Sequence, residues 1–129
     1  MARGMAPDLT GGAVGAPVPV RHPDGSVESW FVPVTRGDRL AGFVRITADL
    51  QFHSASSFPA AAQPEAATWL DAARISDTAL QSAPGATLTG EPVLSYDRFP
   101  ARIAWAVPVR DVDGVDVTVY VAGATAWRS

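Results

Sequence analysis

Side chains able to carry out acid–base or metal chemistry are scarce in this chain. It contains no Cys and only two His, His22 and His53. The lack of Cys excludes disulfides, thiolate nucleophiles and Cys-based zinc or iron–sulfur sites. Two His also exclude a three-His metal site within a single chain. The sequence therefore predicts no metal and no cofactor.

His53 is the single candidate for a catalytic residue. Imidazole can serve as a general base near neutral pH, and Ser54 follows His53 directly. A nucleophile–base pair also needs a third group that orients the base, and no feature of the sequence identifies a carboxylate for that role. We therefore expect His53 to be exposed and the chain not to be an enzyme. His22 lies in a predicted tight turn and is expected to be inert.

Composition and charge narrow the classes of partner. The 129 residues carry 13 acidic and 10 basic side chains, a formal net charge of −3, which supplies no basic surface for nucleic acid. No stretch approaches the roughly 20 apolar residues of a membrane-spanning helix. The start has no apolar core of a signal peptide, so a cytoplasmic location is the default, and a processed secreted form stays open. Residues 1–14 are predicted to be a flexible lead-in.

An internal repeat appears when the chain is aligned with itself at an offset of 75 residues. Residues 15–54 then match 90–129 without a gap, with ten identities in forty positions. This composition alone would give roughly three or four. The clearest match places Trp30–Val34 on Trp105–Val109. A duplicated half-repeat, 15–54 and 90–129, is therefore predicted.

Each half-repeat shows the two-residue period of half-buried strands. Apolar residues alternate from Leu40 to Phe52 and again from Val115 to Val121. In the preceding strands Trp30 and Trp105 fall on the face that carries the valines, so both are predicted to be core residues.

One long helix is predicted between the half-repeats, over residues 64–83. Pro64 suits a first helical turn, the segment is rich in Ala, and Pro84–Gly85 ends it. Residues 53–63 read as a connector. The predicted fold is a single α+β domain over 15–129. Its antiparallel sheet has about six strands in two related three-stranded meanders, and the helix covers the sheet.

The helix and the strands after it resemble the PepSY-type module, a small α+β unit of cystatin-like architecture. The resemblance covers about residues 65–123. It rests on the helix, Glu91–Leu94, Trp105–Val109 and Val117–Val121. Such modules are similar to those in propeptides of secreted peptidases and in cell-envelope proteins, so the resemblance implies a binding or inhibitory role without catalytic residues.

An apolar patch in the first half-repeat marks a candidate binding surface. Phe31 and Phe43 lie on the face opposite Trp30, and their counterparts are Ala106 and Thr118. With Val27 and Arg45 they form the predicted surface for the helix, a second chain or a peptide. The leading function is thus a non-enzymatic module that binds a protein or peptide. A cystatin-like enzyme or ligand-binding protein with a pocket near His53, and a structural homodimer subunit, stay open.

Overall fold

The chain folds as an α+β protein in which antiparallel sheet predominates, and this part of the predicted fold is confirmed. A computed structural model describes residues 12–59, 62–99 and 102–128. Within those ranges, neither helix has the length and apolar character needed to cross a membrane. The chain divides into two compact units.

The first unit, over described residues 12–20, 27–59 and 62–66, is built around a sheet of five strands. These are β1 (Ala13–Val14), β2 (Val18–Arg21), β3 (Val27–Arg36), β4 (Arg39–Thr47) and β5 (Phe52–Ser57). The strand order is β1-β3-β4-β5, and β2 also pairs with β3. Part of the predicted lead-in therefore forms a strand, and its residues 1–11 lie outside the described residues.

The second unit holds the turn 21–26, both helices and another sheet of five strands. Its elements are α1 (Ala66–Leu70), α2 (Ala72–Ser82), β6 (Thr87–Leu88), β7 (Val93–Tyr96), β8 (Ile103–Arg110), β9 (Asp116–Ala122) and β10 (Thr125–Arg128); Ala66 alone groups with the first unit. The strand order is β6-β8-β9-β10, and β7 also pairs with β8.

The central strand pairs have the same register in the two sheets. Trp30 pairs with Ile46 and Val32 with Val44 between β3 and β4. At the offset of 75 residues, Trp105 pairs with Val121 and Val107 with Val119 between β8 and β9. Residues of the two sheets can therefore be compared position by position, and we call residues related by this offset corresponding residues.

Helix α2 builds the core of the second unit. Ile75, Ala79 and Ala83 are buried against valines of β8 and β9, and Trp105 packs at the margin of this cluster. The Trp105 side chain also donates a hydrogen bond to the carbonyl of Trp69, 2.8 Å away. The face of the sheet that carries Trp105 is thus covered by a helix.

The predicted long helix is interrupted at Asp71. The Asp71 carboxylate accepts hydrogen bonds from the backbone N–H groups of Ala73, at 2.9 Å, and Arg74, at 3.3 Å. The backbone of Asp71 is extended, so α1 ends before this residue. The Asp71 side chain caps the N-terminus of α2. Asp is a weak helix former and a strong N-cap, which explains why the Ala-rich segment forms two helices.

Loss of this cap is expected to destabilise the protein moderately. Asp71→Ala leaves two N–H groups of α2 without their acceptor and should lower the free energy of unfolding by about 1 kcal/mol. Urea denaturation followed by circular dichroism measures the change. Asp77→Ala, at an exposed position within α2, is the control and should change stability by less than about 0.5 kcal/mol. Equal effects of the two substitutions would contradict the capping role.

The strand predicted from Leu40 to Phe52 ends earlier, at Thr47. The Thr47 hydroxyl accepts a hydrogen bond from the N–H of Gln51 at 3.0 Å, and Leu50 adopts a left-handed backbone conformation with φ 68°. The chain therefore turns back, and Phe52–Ser57 pairs with β4 as β5. Much of the predicted connector is thus a strand, and the described residues form ten strands where about six are predicted.

Candidate functional site

The face of the first sheet that carries Trp30 forms an apolar cleft. Its volume is about 200 Å³, and we call it the Trp30 cleft; it is lined by Pro17, Trp30, Val32, Ile46 and Leu50. Trp30 is half-buried, whereas Leu50 is 76% exposed. Within the described part of the first unit no helix covers this face.

The opposite face of the first sheet carries a stacked pair of phenyl rings and a buried arginine. The rings of Phe31 and Phe43 stack with their centroids 4.7 Å apart. Phe31 is 1% exposed and Arg45 is 5% exposed. Of the predicted binding surface, Phe43 and Val27 are half-buried, so this set of residues does not form an open apolar patch.

Arg45 is held in a buried polar cluster. Its guanidinium Nη2 lies 2.6 Å from Glu28 Oε1 and donates to Ser29 Oγ at 2.7 Å. The Ser29 hydroxyl donates in turn to Glu28 at 2.6 Å. Each charged group is therefore paired, and the cluster stabilises the neighbouring strands β3 and β4.

His53 lies on the exposed strand β5. Its Nδ1 is 2.9 Å from Ser54 Oγ, and it lines neither the Trp30 cleft nor the cavity described next. Among the residues that the structure describes, no carboxylate bonds to the imidazole to orient it as a catalytic base.

A second concave site lies within the second unit, on the face of the sheet that α2 does not cover. Its volume is about 380 Å³, and its floor consists of Ala106, Pro108, Thr118 and Tyr120; we call it the Tyr120 cavity. Within the sheet, Ala106 pairs with Tyr120 and Pro108 with Thr118. The floor is thus a block of four neighbouring positions on β8 and β9.

The turn at residues 21–26 forms one wall of the Tyr120 cavity. Asp24 accepts hydrogen bonds from the Ser26 hydroxyl at 2.6 Å and the Ser26 N–H at 2.9 Å, and these bonds lower the pKa of the Asp24 carboxyl. Arg21 donates to the carbonyl of Gly25 at 2.8 Å. Gly25 has φ 92°, a conformation that glycine adopts without strain. The wall is therefore fixed by its own hydrogen bonds.

His22 and Tyr96 join this wall to strand β7. His22 Nδ1 lies 2.7 Å from the Tyr96 hydroxyl, and the two rings meet edge to face. The buried Ser95 hydroxyl donates to the carbonyl of Arg21 at 2.6 Å. His22, predicted to be inert, is therefore the His that lines a cavity. The signal for it is a contact between residues 74 positions apart, which local sequence patterns do not contain.

Tyr120 is the ionisable floor residue with a displaced pKa. Burial raises the pKa of its phenol above 10.0, and the nearby Asp97 carboxylate raises it further. The Tyr120 ring stacks on Trp127, whose indole N–H donates to Asp97 at 2.8 Å. The phenol is therefore neutral across the physiological pH range and can both donate and accept a hydrogen bond.

This displaced pKa predicts a loss of stability at alkaline pH. The folded protein holds the phenol proton more tightly than the unfolded chain, so the contribution is complete below pH 10 and is lost as pH rises through the folded pKa. All ten basic residues are Arg, so no Lys titrates in the same range. Tyr120→Phe should lose less stability than wild type between pH 8 and 11 in urea denaturation. Equal losses of stability in Tyr120→Phe and wild type would contradict a raised pKa of Tyr120 in the folded protein.

The described ranges contain no group of three or more His, Cys, Asp or Glu side chains placed to hold a metal ion. The Trp30 cleft offers apolar surface and the Tyr120 cavity adds hydrogen-bonding groups, which suit binding. Comparison with protein-family models, curated proteins and solved structures finds no match to this chain.

Proposed function

We propose that the two units are copies of one five-stranded module, and that the second copy, with its helix, is of the PepSY type. The shared strand order and the shared register of the central strands support this proposal. A glycine also lies against the corresponding proline in each copy. A Cβ at Gly15 would come within 2.9 Å of Pro33, and a Cβ at Gly90 within 3.1 Å of Pro108. In this proposal the two copies differ mainly in the side chains or helices that cover the two faces of each sheet.

In this proposal the protein is a non-enzymatic binding module, and the Trp30 cleft holds an amphipathic helix of a protein or peptide partner. One observation carries it. The residues corresponding to Trp30, Val32 and Ile46 are covered by α2 in the second unit, whereas in the described first unit they line an apolar cleft. An exposed apolar face with a defined shape is typical of an interaction site.

The chemistry of the partner follows from α2. That helix presents Ile75 and Ala79 to the sheet, and its C-cap residue Ala83 packs there too, so small and branched apolar side chains meet the strands. A partner helix with the same spacing of apolar residues would present a matching stripe to Trp30 and Ile46. Binding of a helix in an apolar groove is a common mode of peptide recognition.

The test uses a synthetic peptide of residues 64–83, labelled with a fluorophore, as a helix of known chemistry. Titration of the full-length chain into this peptide, followed by fluorescence anisotropy, should give saturable binding. Trp30→Asp should weaken it by at least about tenfold, because a carboxylate enters an apolar cleft. Val115→Asp, at a 54% exposed position of the second unit, is the matched control and should bind as wild type does. A peptide carrying Ile75→Asp should not bind.

Two results would reject this function. One is the absence of binding to the wild-type chain, and the other is equal binding to the Trp30→Asp chain. Light scattering on the chain alone tests whether a second copy of the chain occupies the Trp30 cleft. A dimer that Trp30→Asp dissociates would mean that a second copy covers the cleft, and the partner-helix proposal would then be wrong.

A further inference from the structure

The floor of the Tyr120 cavity corresponds, position by position, to the filled face of the first sheet. Ala106 and Thr118 correspond to Phe31 and Phe43, whose stacked rings occupy the first face. Pro108 corresponds to Pro33, and Tyr120 to Arg45. Two phenyl rings of one sheet are thus replaced in the other by a methyl group and a small hydroxyl side chain, and a cavity lies above them.

The cavity has the dimensions and composition of a small-molecule site. Its volume of about 380 Å³ falls within the roughly 300–1,000 Å³ typical of ligand pockets. Its floor is mostly apolar, and hydrogen-bonding groups surround it. His22 engages Tyr96 through Nδ1, which leaves Nε2 for another partner. Among the described residues, no protein group bonds to the Tyr120 hydroxyl or to the Glu91 carboxylate.

We propose that the Tyr120 cavity binds an aromatic small molecule of one or two rings that carries a hydrogen-bonding substituent. The ring lies on Ala106 and Thr118, where the first sheet holds its own phenyl rings. The substituent meets His22, Glu91 or Tyr120 at the edge. This site is separate from the Trp30 cleft, and the proposal does not depend on helix binding there.

Protein-observed NMR with three single-ring probes tests the site. Benzyl alcohol, benzylamine and benzoate share a phenyl ring and differ in charge, so the set also reports which substituent the edge prefers. At least one probe should bind saturably and give intermolecular NOEs from its ring protons to the methyl groups of Ala106 and Thr118. No saturable binding by any of the three, or NOEs to Leu50 and Ile46 instead, would overturn the proposal.

A variant that fills the cavity provides the second test. Ala106→Phe with Thr118→Phe restores the ring pair of the first sheet and should weaken binding at least about tenfold. Thr87→Phe adds one ring at an exposed position of the same sheet, outside the cavity, and should leave binding unchanged. Equal binding by the filled and wild-type chains would overturn the proposal. If the filled variant does not fold, the NOEs in the wild-type chain decide.

Discussion

Val121→Asp is expected to destabilise the protein by at least about 4 kcal/mol, because it places an unpaired carboxylate in the core beneath α2. Val121 is fully buried in the cluster that holds Ile75 and Ala79. No basic side chain belongs to this cluster, so the new charge has no partner there. Urea denaturation measures the loss, and a parent at the low end of ordinary stability, about 5 kcal/mol, would keep only about 1 kcal/mol.

The corresponding substitution in the first unit should have a much smaller effect. Ile46 is the residue that corresponds to Val121, but it is half-buried and lines the Trp30 cleft. Ile46→Asp keeps part of its carboxylate in water and should cost about 1 kcal/mol. It should also reduce binding of the helix peptide. Comparable destabilisation by the two substitutions would contradict the difference in coverage between the two faces.

Glu28→Ala is expected to lower the free energy of unfolding by about 3–5 kcal/mol, because it removes the carboxylate that pairs with the buried Arg45 guanidinium. The side chain of Arg45 is 6% exposed, and the pair is only 2.6 Å apart. Ser29 bonds to both members, so its hydroxyl also loses an acceptor. Chemical denaturation of purified variants checks this value.

The control for this prediction removes the charge as well. In Glu28→Ala with Arg45→Met, both members of the ion pair are gone, so most of the lost stability should return. A double variant as unstable as Glu28→Ala alone would mean that the cost comes from lost packing. A single variant within 1 kcal/mol of wild type would show that water reaches Arg45 readily.

The strands of the second unit were predictable, because one face of the sheet is covered by a helix and the other carries more polar residues. Val107 and Val109 on β8, and Val119 and Val121 on β9, are spaced two residues apart, and all four are fully buried. The helix that covers them has a clear Ala-rich pattern and a Pro–Gly stop. In this unit, the apolar residues that alternate in the sequence are the ones that are buried in the structure.

The first unit was harder to predict because both faces of its sheet are apolar. Alternation places Trp30 and Phe31 on opposite faces, but it does not say which face is more deeply buried. Phe31 is the more buried of the two, and the open cleft lies on the side of Trp30. The alternating pattern thus marks the sheet positions of Phe31, Phe43 and Arg45, and the open cavity lies at their counterparts in the other unit.

Short strands and the break in the helix depend on single side-chain contacts. The hydroxyl of Thr47 fixes the turn before β5, and the carboxylate of Asp71 starts α2. Neither contact changes the hydrophobic pattern of the surrounding sequence. The position of His22 depends on Tyr96, which is distant in the chain, so it could not be read from neighbouring residues.

If both proposals hold, the two copies have diverged in complementary ways. The first copy fills one face with Phe31 and Phe43 and leaves its Trp30 face for a partner. The second copy covers its Trp105 face with its own helix and keeps a cavity at Ala106 and Thr118. Each copy would then offer one binding site, on opposite faces of the shared module.

Mapping of the unlabelled 64–83 peptide on the isotope-labelled chain by NMR tests most directly the claim that the Trp30 face is an open counterpart of the face that α2 covers. The account predicts shifts of the Trp30 indole and of the Ile46 and Leu50 methyl groups, with the resonances of Val107, Val119 and Val121 unchanged. Shifts confined to those three valines would mean that the peptide replaces α2 in the second unit, and that result would contradict the account.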